Sequence, residues 1–274
     1  MKTLSRFFFC GLLFFTVTNA RAQHTIKQIW ATDTVVVIPE SVLPVKDIMY
    51  VSEIDGAPWG RDGKGEVGKL TRDGKVIDLN WITGLNAPKG LAINGDLLYV
   101  ADLDELVVIS ISQNKIDHKI KIPGAEGLND VTVDKNGVVY VSDTQKACVF
   151  RVEKDAATLY LDNIKGANGL KAIGDKLYVL SGDGMYVTGP DKKLTKICVL
   201  ENGGDGIEPI GNGDFLVTAW GGWLYYVHAD GTRDLLLDTH TTKKRTADIG
   251  YDPKARIIYV PTFLGKSVDA YKLD

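Results

Sequence analysis

The chain has 274 residues, is 45% hydrophobic and 24% charged, and carries a formal net charge of −3. This composition excludes a disordered or collagen-like chain, and the charge balance excludes a generally basic, nucleic-acid-binding surface. Three cysteines cannot build a disulfide framework, while 29 glycines without a G-X-Y period point to many tight turns between short strands.

In chain order, the first element is an address. Lys2 and Arg6 precede an apolar run from Phe7 to Val17, and Ala20-Arg21-Ala22 supplies a small-residue cleavage site. This layout predicts a secretory signal peptide over 1–22. The run is shorter than the roughly 20 apolar residues a membrane span requires. The mature chain, 23–274, is expected as one domain, exported to a periplasm or the medium, with no membrane span. Loss of Lys2, Arg6 and Arg21 takes the net charge from −3 to −6. Cys148 and Cys198 then remain; one disulfide and two buried free thiols are both open.

A repeat follows. MYVS at 49–52, LYVA at 98–101, VYVS at 139–142, LYVL at 177–180, FLVT at 215–218 and IYVP at 258–261 recur about every 40 residues without helical periodicity. The third unit divides into four short strands, GLNDVTVD, VVYVSD, KACVFRVE and ATLYLDN, with turns between them. Asp73-Gly74, Asn94-Gly95, Asn136-Gly137, Asn212-Gly213 and Asp230-Gly231 stand where hairpin turns are needed. The last unit offers three strands, and the segment TIKQIWATDTVVVI at 25–38 is a spare strand able to pair beside the last. The prediction is an all-β, six-bladed propeller with four-stranded antiparallel blades, closed by the N-terminal strand.

Counting back 11 or 12 residues from each repeat's second valine reaches the start of the innermost strand. The residues there are Glu40, Pro88-Lys89, Asn129-Asp130, Asn168, Asp205 and Asp248. All are expected at the mouth of the central channel. Carboxylates and carboxamides facing one small space require a positive charge between them, and an oxygen-only donor set suits a hard divalent cation, calcium or magnesium, over zinc. The competing account is that Asn, Asp and Gly merely serve the turns. Trp59, at the tip of the long loop 55–66, lies on the same face as a lid, a stacking platform or a simple surface loop. Trp220 and Trp223 follow on that face, one at the rim and one in the core. Lys243-Lys244-Arg245 could hold an anionic substrate with Lys89, or be a solvated charge run. No phosphate loop, G-x-S-x-G elbow or EF-hand loop is present, and the four histidines fall in different units without repeat phase.

PESV at 39–42, LND at 128–130, ANGL at 167–170 and DGI at 205–207 open successive units. In that order they resemble the regucalcin/gluconolactonase family of six-bladed propellers, and APKGLA at 87–92 with TADIGYDP…YVPTF resembles its secreted bacterial branch. The resemblance implies Glu40, Asn168 and Asp205 as metal ligands, calcium most of all. It also implies Asp205 as general base and Asn129 as a residue holding substrate or a metal-bound water. Gly127 and Leu128 stand where the family's lactonases carry an arginine before ND. The expected function is a metal-dependent hydrolase of a lactone or related ester, taking a small-molecule substrate with contributions from Asn129, Asp130, Lys89, Trp59, Trp220 and Asp248. The alternative is a noncatalytic propeller that binds a glycan, peptide or protein.

Overall fold

The computed structural model describes residues 24–274; the predicted leader lies outside them. β1 (Ile26–Ala31) comes first, and five blades of four strands follow. Blade one is β2 (Pro39–Val45), β3 (Ile48–Glu53), β4 (Gly65–Thr71) and β5 (Val76–Leu85). Blade two is β6 (Pro88–Asn94), β7 (Leu97–Asp102), β8 (Glu105–Ser110) and β9 (Lys115–Lys121). Blade three is β10 (Leu128–Val133), β11 (Val139–Asp143), β12 (Cys148–Glu153) and β13 (Ala156–Leu161). Blade four is β14 (Leu170–Ile173), β15 (Lys176–Ser181), β16 (Gly184–Thr188) and β17 (Thr195–Val199). Blade five is β18 (Ile207–Gly211), β19 (Asp214–Ala219), β20 (Trp223–Val227) and β21 (Arg233–Asp238). Blade six takes β22 (Gly250–Asp252), β23 (Ile257–Pro261) and β24 (Val268–Leu273) from the end of the chain. Its outer strand is β1, which pairs antiparallel with β24.

The fold is therefore a six-bladed β-propeller with four-stranded antiparallel blades, as the repeat predicts. The closing strand is shorter than the predicted 25–38. After a last cross-strand bond, in which the Thr32 N–H donates to Val268 O at 2.9 Å, the chain leaves the sheet through a tight turn in which the Val35 N–H donates to Asp33 O at 2.8 Å. The glycines of the five predicted hairpin turns, 74, 95, 137, 213 and 231, all hold φ between 62° and 84°, the left-handed region for which a Cβ is disfavoured.

The repeated apolar run is continuous because a blade is covered on both faces. Leu98 and Val100 of β7 pack toward blade one, while Tyr99 and Ala101 pack toward blade three. Met49 and Val51 of β3 likewise face blade six, and Tyr50 faces blade two. The core is thus a set of wedges between adjacent blades. Alternating side chains of each second strand feed the two wedges on either side of it. Cys148 and Cys198 are free, buried thiols in blades three and four, which resolves the choice left open by the sequence.

The wedge between blades six and one depends on the closing strand, because Trp30 of β1 packs there, 5.8 Å from the Tyr259 ring centroid. Trp30→Ala is expected to lower unfolding free energy by about 2–3 kcal/mol, somewhat below the usual figure for a fully buried tryptophan. Chemical denaturation measures it, and a change under about 0.5 kcal/mol, the level of an ordinary surface substitution, counts against closure through β1.

Candidate active site at the channel mouth

One backbone irregularity builds the mouth. In blade one, Pro39 pairs with Glu53 and Val42 with Val51, so two residues, Glu40 and Ser41, stand opposite Ser52 alone. The same two-against-one bulge places Lys89 and Gly90 opposite Ala101, and Asn129 and Asp130 opposite Ser142. In blade four the Asn168 N–H donates to Leu180 O and the Leu180 N–H to Gly169 O. Asp205 and Gly206 bracket Thr218 in the same way. The freed N–H of the second bulge residue finds a side-chain partner in three blades. Ser41 donates to Ser52 Oγ at 2.9 Å, Asp130 to Ser142 Oγ at 2.9 Å, and Gly206 to Thr218 Oγ1 at 2.8 Å. The bulge thus costs no unpaired buried N–H there, and it aims successive side chains down the channel axis.

Two rings result. The upper ring is Glu40, Lys89, Asn129, Asn168, Asp205 and Ala247; the lower ring is Ser41, Gly90, Asp130, Gly169, Gly206 and Asp248. Five upper-ring side chains, all except Ala247, line a cavity of about 380 Å³ together with Pro58, Trp59, Trp220 and Phe263. The cavity thus gathers Glu40, Lys89, Asn129, Asn168, Asp205, Trp59 and Trp220 from the sequence prediction. Asp130 and Asp248 are not among its lining residues. They line a narrow space one layer deeper with Ser41, Lys171 and Glu208. The difference for blade six is one of register: Gly250 pairs with Tyr259, which puts Ala247 and not Asp248 in phase with Asp205.

The lower layer is internally satisfied. Asp248 Oδ2 accepts from the Ser41 hydroxyl at 2.5 Å, and Asp130 Oδ2 accepts from the Leu170 N–H at 2.5 Å. Lys171 donates to Glu208 at 2.9 Å. Glycine is required beside the acids, since a Cβ on Gly90 would fall 2.4 Å from Asp130 Oδ1, and one on Gly206 2.8 Å from Asp248 Oδ1. Lys171 and Glu208 were not singled out in the sequence. Their signal was available as the third residue after each unit's opening position.

The upper ring is not satisfied. Glu40 Oε2, Asn168 Oδ1 and Asp205 Oδ1 are buried and have no hydrogen-bond partner. Burial pushes the Glu40 carboxyl up to about 8; the Lys89 ammonium opposes the rise and Asp205 adds to it. Burial likewise pushes Asp205 up to about 8, Asp248 adding to the rise while Lys89 and the Asn168 carboxamide oppose it. Lys89 is itself only 2% exposed, and burial lowers its pKa against the pull of Glu40, Asp205 and Asp102. Asn129 is held by its own bond, Nδ2 donating to Thr144 Oγ1 at 2.9 Å.

Unpartnered buried oxygens are costly, and three of them belong to residues lining one cavity. The donors fit a hard divalent cation: two carboxylates and one carboxamide, with no nitrogen or sulfur ligand. Among the described residues no group of three or more His, Cys, Asp or Glu side chains is arranged to hold a metal. The set at the mouth has two carboxylates and reaches three donors only through Asn168.

The rim is apolar. Trp59 is 39% exposed and Trp220 44% exposed, and Trp220 meets Phe263 edge-on at 5.5 Å. Trp223 instead stacks on His240 at 5.1 Å, so the pair divides into a rim residue and a packed one. Arg61 ties the loop of Trp59 to blade two through Asp104 at 2.7 Å. The 243–245 basic run is largely committed elsewhere. Lys244 pairs with Asp269 at 2.5 Å, and Arg245 donates to Gly221 O at 2.9 Å beneath the Trp220 ring. No described helix is long and apolar enough to cross a membrane.

A six-bladed propeller with a polar, partly unsatisfied mouth is the class these features define. No protein-family profile and no curated protein matches the chain. Solved structures do. A protein proposed to be a gluconolactonase superposes with a TM-score of 0.67 at 14% identity, over 93% of each chain. A Bacteroides thetaiotaomicron protein of unknown function also gives 0.67 at 14% identity, over 92% of this chain and 76% of that one. Catalytically inactive virginiamycin B lyase from Staphylococcus aureus, solved with quinupristin, gives 0.63 at 14% identity, over 91% and 99%. At this identity the likeness concerns the fold alone.

The raised carboxyls carry a pH consequence. Glu40 and Asp205 hold protons more tightly when folded, with values of about 8. Their stabilising contribution is therefore complete below the ordinary carboxylate range and is lost as pH rises toward 8. In chelator, Tm is expected to fall between about pH 5 and pH 8, and Asp205→Asn is expected to flatten that fall. A Tm series whose slope is the same in both chains removes Asp205 as a source of the effect.

Proposed function

We propose that the chain is a metal-dependent hydrolase of a lactone or related ester, working at the channel mouth. The carrying observation is the convergence of Glu40 Oε2, Asn168 Oδ1 and Asp205 Oδ1 from three blades on one cavity, all buried and unpartnered. Glu40, Asn168 and Asp205 would hold a divalent cation, calcium by the hardness of the oxygen donors, which when bound would polarise a substrate carbonyl and lower the pKa of water.

The protein's own groups divide the remaining work. Asp205 is the general base, because its carboxylate faces the cavity and burial makes it a stronger base than an ordinary aspartate. A nearby cation brings that value down again and keeps the group ionised near neutral pH. Asn129, fixed by Thr144, presents its carboxamide to the polar floor and orients either water or the acyl oxygen. Trp59, Trp220 and Phe263 form apolar walls that shed water and seat a ring or an acyl chain. Asp130 and Asp248 support the floor from the layer below without reaching substrate.

Asp205→Asn is expected to leave folding intact and to reduce turnover about 10²- to 10⁴-fold, the usual contribution of a general base. The assay is a panel of lactones and esters with the purified chain, with and without chelator. Turnover that survives complete metal removal contradicts the proposal. Saturable ligand binding with no turnover of any panel member, in either chain, favours the noncatalytic propeller. Trp59→Ala is expected to raise KM about tenfold, with a smaller change in kcat, since its role is to bind and not to react.

A further inference from the structure

We propose that Lys89 is a tethered counter-cation of the mouth: its ammonium supplies positive charge to Glu40 and Asp205, and a divalent ion must displace it to bind with full affinity. This rests on reading the mouth as a cation site.

Lys89 is the only cationic side chain in the upper ring, and its bulge position aims it at the same cavity as the two carboxylates. It is 2% exposed. Glu40 and Asp205 are the leading charges acting on it, in that order. Among the described residues it makes no hydrogen bond and no ion pair within contact distance. Its one close partner is the ring of Trp59, with Nζ 4.4 Å from the centroid. An ammonium on a four-carbon stem, held by a field and an aromatic face and not by a fixed hydrogen bond, can change seats with little rearrangement.

The charge balance gives the device its effect. Two carboxylates alone offer a divalent ion two negative charges. With the ammonium in place the local sum is a single negative charge. Like charges in a buried space repel strongly, so Lys89 and a divalent ion do not share the site at full occupancy of both. The chain therefore carries its own weak competitor. This competitor sets the threshold of divalent ion at which the site fills.

The test is calcium titration of the natural chain, Lys89→Met and Lys89→Arg, by calorimetry and by the calcium-dependent rise in Tm. K89M is expected to bind calcium at least tenfold more tightly than the natural chain, and K89R no more tightly than it. In chelator K89M is expected to melt below the natural chain, and calcium is expected to restore or exceed the natural Tm. Equal or weaker calcium affinity in K89M overturns the inference while leaving the metal reading intact. Calcium binding by K89M alone supports the inference and overturns the metal reading for the natural chain. Calcium binding by none of the three overturns both. Should K89M fail to fold, Lys89→Gln, which keeps a polar head and loses the charge, carries the same expectations.

Discussion

A two-against-one mismatch at the head of each innermost strand is the constraint from which the rest follows. A regular antiparallel ladder would alternate side chains between the two wedges flanking a blade, leaving none for the channel. The mismatch turns two consecutive residues inward, and the hydroxyls of Ser52, Ser142 and Thr218 absorb the N–H that the ladder gives up. Repeating this in blades one to five gathers five unrelated sequence positions into one polar ring, and the residues after them into a second.

Ring formation then sets the electrostatics. Dry apolar wedges surround the mouth on all sides, so every charge placed there loses most of its hydration. Asp130 and Asp248 are met by backbone and hydroxyl donors, although burial raises both carboxyls as well. Glu40 and Asp205 each keep an oxygen that nothing in the protein meets. The same burial that makes the arrangement expensive gives Asp205 the basicity its proposed role requires. The cost and the chemistry have one origin, and among the described residues Lys89 is the one cationic side chain that lines the same cavity.

Much of this was legible in the sequence because the repeat unit carries its own phase. The second valine of each unit marks a fixed ladder position, and counting back from it reaches Glu40, Lys89, Asn129, Asn168 and Asp205 without coordinates. The serine or threonine closing MYVS, VYVS and FLVT is the partner of the bulge, although in the sequence it shows only as a small residue. The count is weakest in blade six, where an acid stands at 248 and an alanine at 247, and chemistry suggests the acid while register requires the alanine. The depth of Lys89 could not be read either. The sequence sets it at the channel mouth, and only the closed ring buries it to 2% exposure on one cavity with two carboxylates. The 25–38 segment was overextended for a related reason: apolar, β-branched residues such as Val36 can be buried in a turn as well as in a strand.

Blade six joins the two ends of the chain, and this orders events during synthesis. Val268 N–H donates at 3.0 Å to Thr32 Oγ1, 236 positions away in sequence, among the most distant pairings of the described residues. β1 therefore stays unpaired until β24 emerges, while blades one to five can assemble from neighbours close in sequence. During that interval an incomplete crescent presents raw sheet edges to the surroundings.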